Sequence, residues 1–362
     1  MFDFIPIEKY SYVYHYFLLV IVFLTFAKSK LLPITDLKSI KGNKTYGVII
    51  LFFILLYIGL RPISGVYFGD MGTYARYFER YQNNETNVFK EDFVFDFFIQ
   101  ICSKIMNVEM FFMVCTLLYV LPLWAACKTW FKDYSFYAFL ILIMSFSFWA
   151  YGTNGIRNGI ATSVFLYALS REKLSSKIVF ILIAFGVHKS MIIPIVALGL
   201  TYLYSDARKY FYGWLLCIPL SLVSGGFWEA LFVGLMDDGR STYLTEENVN
   251  NDSFSSTGFR WDFLLYSASA VYAAYFFIFK KEFVNSTYNR LVCTYLAANG
   301  FWVLVIRANF SNRFAYLSWF MMGIIIVYPF LTKIQMKKQH QVLGLVLLAY
   351  FGFTFFMNVI LG

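Results

Sequence analysis

The residues best equipped for chemistry in this 362-residue chain are arginines at the ends of long apolar runs. Arg61 closes one run, Arg157 opens another, and Arg307 and Arg313 bracket the short turn Ala308-Asn309-Phe310-Ser311-Asn312. A guanidinium suits planar, bidentate recognition of phosphate, and the first turn of a helix adds a favourable dipole for an anion. Arg157 combines the two, because it lies in Asn154-Gly155-Ile156-Arg157-Asn158 at the head of the run Ile156–Ser170. A single arginine at a helix end more often snorkels to lipid headgroups. Arg157 and Arg313 stand out, the first among Asn and Gly and the second directly after Asn312.

His188 falls at Gly186-Val187-His188-Lys189-Ser190, a polar break inside the apolar stretch Ile178–Tyr204. A lone histidine in such a stretch is usually a hydrogen-bonded core residue, but polar groups within membrane segments are functional suspects. A catalytic or substrate-binding role for His188 therefore stands beside the structural one. Asp70, in Phe68-Gly69-Asp70-Met71-Gly72-Thr73-Tyr74, can be read as a general base, an arginine partner or a turn-forming residue, the last being the default. Asp237-Asp238 could hold a divalent cation with a phosphate, although adjacent acids in an acidic loop are usually just solvated. No P-loop, Rossmann glycine pattern, HExxH or GxSxG occurs. The five cysteines (Cys102, Cys115, Cys127, Cys217, Cys293) sit alone in apolar runs, with no CxxC pair, and read as small apolar residues. No metal site and no cofactor are expected.

The elements that must carry these residues follow from composition. Apolar residues make up 60% of the chain and charged residues only 14%, against about 25% charged in soluble proteins. With a mean hydropathy of +0.62, the chain cannot cover a water-facing surface. An ordinary soluble enzyme, a disordered protein and a free nucleic-acid binder are excluded. The abundant Phe (43) and Tyr (28) suit a lipid-facing surface with interfacial anchors.

A spanning helix needs about 20 apolar residues. Clear candidates are Tyr10–Ala27, Tyr46–Leu60, Met110–Cys127, Tyr134–Tyr151, Trp261–Phe279, Leu291–Ile306, Phe314–Leu331 and Val342–Leu361. Ile156–Ser170 and Phe211–Ser224 are shorter, and Ile178–Tyr204 reads as two half-length or tilted helices meeting at His188. The expected fold is an all-α polytopic membrane protein with about twelve spans, eleven as the alternative. It forms one integral-membrane domain over 1–362, with no repeat or linker visible. The first segment is read as a span and not a signal peptide, because Asp3 and Glu8 precede it and it lacks a small-residue cleavage site.

Orientation follows from basic residues in short loops. An exterior N-terminus places 18 of the 30 Lys and Arg inside beside five acids, a net +13, and leaves 12 bases with 16 acids outside, −4. Eight of those 12 outside bases are arginine (Arg61, Arg76, Arg80, Arg157, Arg240, Arg260, Arg307, Arg313), against three of 18 inside. Topology needs no such preference, whereas a substrate carrying phosphate at headgroup depth does. Two long extracytoplasmic loops are expected, at 61–109 and 225–260. The first contains Phe93–Met106, whose mixed apolar and charged pattern suits a helix lying in the interface. Long loops at one face are usual places for function.

Taken in order, Gly59-Leu60-Arg61, Gly69-Asp70 with Tyr74, Asn154-Gly155-Ile156-Arg157-Asn158, His188-Lys189-Ser190, Asn312-Arg313-Phe314 and Tyr328-Pro329 form a pattern from about Gly59 to Pro329. This pattern resembles the EpsG-type branch of the Wzy-like polymerases, bacterial membrane proteins that polymerise lipid-linked polysaccharide repeat units. The chain departs from that family in having Asn158 where Gln is frequent after the arginine, and Phe68-Gly69-Asp70 where Gly-Thr-Asp is frequent. The resemblance implies an inverting, metal-independent glycosyltransferase similar to the membrane-embedded GT-C-like enzymes, in the bacterial inner membrane. Donor and acceptor would be undecaprenyl-pyrophosphate-linked oligosaccharides met at the periplasmic or exterior face, with a chain-length regulator as a possible partner and no nucleic acid. In that setting Arg157 and Arg313, supported by Arg307, Arg61, Asn154 and Asn158, would hold the pyrophosphate, and His188 or Asp70 would serve as base. Two other readings stand beside it: a flippase or transporter of lipid-linked oligosaccharides, which would show charges along a cavity reachable from both sides, and a membrane-bound sugar acyltransferase, which would need its histidine reachable by a cytoplasmic acyl donor.

Overall fold

The computed structural model describes residues 4–85, 92–233, 258–308 and 311–361. All regular structure among them is helical. In chain order the helices are α1 (Tyr10–Leu31), α2 (Leu37–Gly59), α3 (Met71–Gln82), α4 (Phe93–Ile105), α5 (Val108–Phe131), α6 (Ser135–Ile143), α7 (Phe146–Thr153), α8 (Ile156–Leu169) and α9 (Leu174–Val187). They continue with α10 (Ile192–Leu203), α11 (Ala207–Val233), α12 (Trp261–Tyr275), α13 (Ser286–Leu304), α14 (Ser311–Trp319), α15 (Met322–Thr332) and α16 (Gln339–Phe355). Several starts are set by side-chain caps that satisfy an otherwise orphaned amide. The Ser39 amide donates to Asp36 at 2.7 Å, that of Met110 to Asn107 at 2.9 Å, and that of Tyr288 to Asn285 at 2.8 Å.

Among the described residues seven helical stretches are long and apolar enough to cross a membrane: Ile7–Leu31, Leu37–Gly59, Val108–Ile143, Ala207–Phe232, Trp261–Lys280, Ser311–Thr332 and Gln339–Ile360. The sequence pattern suggests about twelve, and the difference comes from helices that are broken, short or less apolar, such as the unbroken Ser286–Leu304. The expected span Tyr134–Tyr151 divides into α6 and α7 where Ser145 turns extended. Ile178–Tyr204 breaks at His188, as the polar residues there predict, so that α9 ends at Val187 and a 3-10 turn, Lys189–Met191, leads into α10. Helices of 14 residues such as α8 and α9 reach only about 21 Å at 1.5 Å per residue, short of the roughly 30 Å hydrocarbon core. The segment after Asp70 is not the loop its polarity suggests but the amphipathic helix α3, with Met71, Tyr74, Phe78 and Tyr81 turned inward. Phe93–Ile105 is helical, as expected.

The chain divides into two compact units, Met1–Met191 with Val327–Gly362, and Ile192–Ile326. In the first, α5 packs against α2, α6 and α8, α8 against α9, α4 against α3 and α9, and α1 against α16. The α1–α16 approach requires Gly344, where a Cβ would lie 2.1 Å from Ser29 Oγ and 3.4 Å from the Phe26 backbone. Tyr10 and Tyr57 join α1 to α2 by stacking at 4.3 Å and by each hydroxyl donating to the other residue's carbonyl, at 3.0 and 2.7 Å. At the far end of α1 a polar relay crosses four helices. Lys28 Nζ donates to Asn43 Oδ1 at 2.7 Å, and Asn43 Nδ2 donates to the Tyr137 hydroxyl at 2.9 Å. Tyr137 then meets His340 Nε2 at 2.7 Å, and His340 Nδ1 meets the Leu32 carbonyl at 2.6 Å. A carbonyl only accepts, so Nδ1 carries the proton and Nε2 takes the Tyr137 proton. Each donor in the relay therefore finds an acceptor, and His340 is neutral.

In the second unit α13 packs against α10, α11, α12 and α14. Its centre is the fully buried Asn299, which accepts from Trp214 Nε1 at 2.7 Å and donates to Ser267 at 3.2 Å and Ser318 at 2.9 Å.

Replacing Tyr137 by Phe strands Asn43 Nδ2 and His340 Nε2 inside the first unit. A buried polar group left unsatisfied costs about 1–3 kcal/mol. Tyr137→Phe is expected to lower the unfolding temperature of detergent-solubilised protein, whereas Tyr134→Phe, outside the relay, leaves it unchanged.

Candidate active site

The site grows from helix ends in the first unit. Gly69 has φ +53, and a Cβ there would lie 2.6 Å from Asn154 Oδ1, so both the backbone and the close approach require glycine. The approach lets the Asp70 amide donate to Asn154 Oδ1 at 2.8 Å. Asp70 precedes the first residue of α3, its side chain makes no cap hydrogen bond, and it is exposed. Arg61 is buried. Its guanidinium donates to the Ile58 carbonyl at 2.5 Å and the Thr153 carbonyl at 3.2 Å, with the rings of Phe68 and Phe112 at 5.7 and 5.5 Å. Arg61 thus satisfies the ends of α2 and α7 and fixes the turn that leads into α8.

That turn delivers Arg157 to the second position of α8. Nη1 of Arg157 donates to Asp92 Oδ2, and Nε donates to the Tyr74 hydroxyl at 3.1 Å. Asp92, immediately before α4, is buried. Its other oxygen accepts from the Lys189 amide at 3.0 Å and lies 3.5 Å from His188 Nδ1. His188 Nδ1 also lies 3.5 Å from the Ser190 amide, and one nitrogen cannot donate to the carboxylate and accept from the amide at once. The charge-assisted contact with Asp92 decides it, placing the proton on Nδ1 and the basic lone pair on Nε2. Ser190 Oγ donates to Asn158 Oδ1 at 3.1 Å, which ties the turn after α9 to the head of α8. Gly186 allows α9 to come this close to α4, because a Cβ there would lie 2.4 Å from Val94 and 2.8 Å from Phe93 side-chain atoms.

Burial pushes the Asp92 carboxyl up, but the hydrogen bond of His188, the charge that ring takes on in the acid range where Asp92 titrates, the charge of Arg157 and the Lys189 amide outweigh it. Asp92 is held below its ordinary value of 3.8. The cluster is therefore an ionised, buried carboxylate surrounded by donors from two separate segments, the head of α8 and the turn after α9. Arg157 keeps 27% of its side chain exposed, against 4% for Asp92.

A family model described as the EpsG family matches residues 44–361. The chain belongs to the EpsG family. The family is one of glycosyltransferase-like polysaccharide polymerases, and this is the role it gives the chain. No curated protein and no solved structure matches the sequence.

Of the residues that the sequence of this EpsG-family protein singles out, Arg157, His188, Asn154, Asn158 and Asp70 gather around Asp92 or the turn beside it. Arg61 lies behind that turn. Arg307 and Arg313 belong to the second unit. There Arg307 is exposed and donates to the Leu222 carbonyl at 3.3 Å, and Arg313 is the third residue of α14. Arg76 and Arg80 are spent on Thr73 and Glu85, and Arg260 makes a two-pronged pair with Asp262. Arg240, Asp237-Asp238, Asn309 and Phe310 lie outside the described residues. Among the described residues no group of three or more His, Cys, Asp or Glu side chains is placed to share a metal ion. The sequence pattern missed Asp92 and gave Tyr74 no role. The one available signal was an acid directly before an apolar helix, which reads as an ordinary cap.

Asp92→Asn keeps the shape of the side chain and removes the charge. Hydrogen bonds to charged groups contribute about 1.5–3 kcal/mol, so a fall in unfolding temperature is expected at neutral pH. Because the Asp92 pKa is depressed in the folded state, the stabilisation is complete above the ordinary value of 3.8 and is lost as pH falls through the folded value. Unfolding curves of wild type and Asp92→Asn should therefore converge in strong acid. A constant gap across pH would show that Asp92 is not the ionised anchor.

Proposed function

We propose that this protein polymerises undecaprenyl-pyrophosphate-linked oligosaccharide repeat units by glycosyl transfer at the extracytoplasmic face of the bacterial inner membrane. The observation that carries the reading is the Asp92 cluster, which fixes Arg157 and His188 side by side at helix ends in a chain of the EpsG family. The acceptor's hydroxyl oxygen forms a bond to the anomeric carbon of the donor while the bond from that carbon to the pyrophosphate breaks. The lipid pyrophosphate leaves with the electron pair, and the hydroxyl proton passes to His188 Nε2. One displacement inverts the anomeric centre. Charge develops on the leaving group, and donors already oriented before the reaction stabilise it best. Arg157 supplies such a donor beside the positive end of α8, so a guanidinium does the work that a metal ion does elsewhere. Asn154 and Asn158 support the same turn. Arg307 and Arg313 are proposed as pyrophosphate ligands on the sequence pattern. The proposed architecture is GT-C-like with about twelve crossings, the shorter helices included, an exterior N-terminus and an interfacial α4.

Arg157→Ala is expected to abolish long-chain polysaccharide at unchanged protein level, with single lipid-linked repeat units accumulating outside the membrane. Accumulation inside would identify a flippase, and normal chain lengths would remove Arg157 from the mechanism. General-base help typically supplies about 10²–10⁴-fold in rate, so His188→Ala should slow ladder formation by purified protein on that scale. A cysteine at position 188 should react with an impermeant reagent added from outside; reaction only from the cytoplasmic side would overturn the assigned face.

A further inference from the structure

The end of the first unit that carries the Lys28–His340 relay also holds a cavity of about 390 Å³ between the α1–α2 connection and the segment before α16. That volume lies in the range of about 300–1,000 Å³ usual for small-molecule sites. Its lining includes Lys30, Lys337 and Lys338 and no carboxylate. The nearest acid in sequence, Asp36, is committed to the Ser39 amide. No ion pair involves the three lysines among the described residues. His340 forms part of the wall, and its two ring nitrogens are already occupied by Tyr137 and Leu32. The relay thus shapes the cavity. Lys30 Nζ lies 4.4 Å from the centre of the Phe26 ring, a contact that leaves its N–H donors for an anion, and Lys337 and Lys338 are exposed. Around the mouth, Leu31 is 82% exposed and Ile334 61%. The cavity sits where two apolar helices, Ile7–Leu31 and Gln339–Ile360, end, which is the level of a membrane boundary whichever way the chain is oriented.

Three cations without acids call for an anion, and exposed leucine and isoleucine beside them call for hydrocarbon. Basic pockets between spans at one membrane face are suited to anionic headgroups. We propose that this cavity binds the phosphodiester of an anionic phospholipid, with Lys30, Lys337 and Lys338 around the phosphate and the acyl chains along Leu31 and Ile334. The site is separate from the Asp92 cluster and does not depend on the polymerase reading.

The test is thermal unfolding of the full-length, detergent-purified protein titrated with phosphatidylglycerol, phosphatidylcholine or inorganic phosphate. Phosphatidylglycerol at saturation is expected to raise the unfolding temperature by about 3 °C or more, and phosphatidylcholine to leave it unchanged. The Lys30→Gln, Lys337→Gln, Lys338→Gln variant should lose the response. The same shift with inorganic phosphate alone, also lost in the variant, would keep the phosphate site and assign it to a soluble ligand. An equal phosphatidylglycerol response in wild type and variant, or none in wild type, overturns the proposal. Should the triple variant fail to fold, Lys338→Gln alone must raise the lipid concentration giving half the shift, and an unchanged concentration overturns it equally.

Discussion

A carboxylate taken out of water must be repaid in hydrogen bonds, and Asp92 is the one on which this site is built. Moving an ionised carboxyl into a protein interior costs several kcal/mol unless the geometry of its partners is good. Asp92 meets that demand from three directions: the Arg157 guanidinium from the head of α8, the Lys189 amide from the turn after α9, and the His188 ring from the same turn. The partners come from two segments, the head of α8 and the turn after α9, and Asp92 itself stands at the start of α4, so the single charge fixes the mutual placement of α4, α8 and α9. Around it, Arg61 holds the end of α7 and Gly69 admits the Asp70 turn against Asn154. Removing the carboxylate would leave several donors unsatisfied, and removing any one donor would leave a buried charge underpaired.

The same pairing shapes the electrostatics available to a substrate. Asp92 offsets the charge of Arg157, so the cluster does not present a bare cation. What it presents is an oriented one. An arginine can do this and a lysine cannot: Nη1 faces the carboxylate while Nε of the same planar group faces the Tyr74 hydroxyl. Stabilisation of a leaving diphosphate depends on donors that need no rearrangement when charge develops, and a guanidinium held on two edges meets that condition. The start of α8 and the nearby Lys189 supply the remaining positive character.

Much of the fold was legible in the residues. The apolar runs, the break at His188 and the placement of Arg157 in the first turn of a helix all follow from local pattern and were found in the structure. Two things were not. α3 is amphipathic and polar enough to read as loop, because its inward face of Met71, Tyr74, Phe78 and Tyr81 is satisfied only by tertiary contacts, chiefly with α4 and also with Phe111 on α5 and Arg157 on α8. Asp92 was invisible for a related reason. An acid before an apolar helix is the common signature of a cap, yet its side chain makes no cap hydrogen bond and turns to Arg157 instead. Its partner lies 65 residues away, and no local pattern carries that information.

The broken helix at His188 shows why such a site needs irregular backbone. Inside an α-helix every amide is consumed by the carbonyl four residues back. Had the helix run unbroken from Leu174 to Leu203, the Lys189 amide would be bonded to the Phe185 carbonyl and closed to Asp92. The break frees that amide, and it donates to the carboxylate at 3.0 Å. The Ser190 side chain then ties the released turn to Asn158. Within a membrane, exposed backbone groups are tolerated only where protein or water satisfies them. The interruption and the buried acid are therefore two halves of one solution: the break supplies a donor that a continuous helix cannot, and the acid supplies the acceptor without which the break would be unstable.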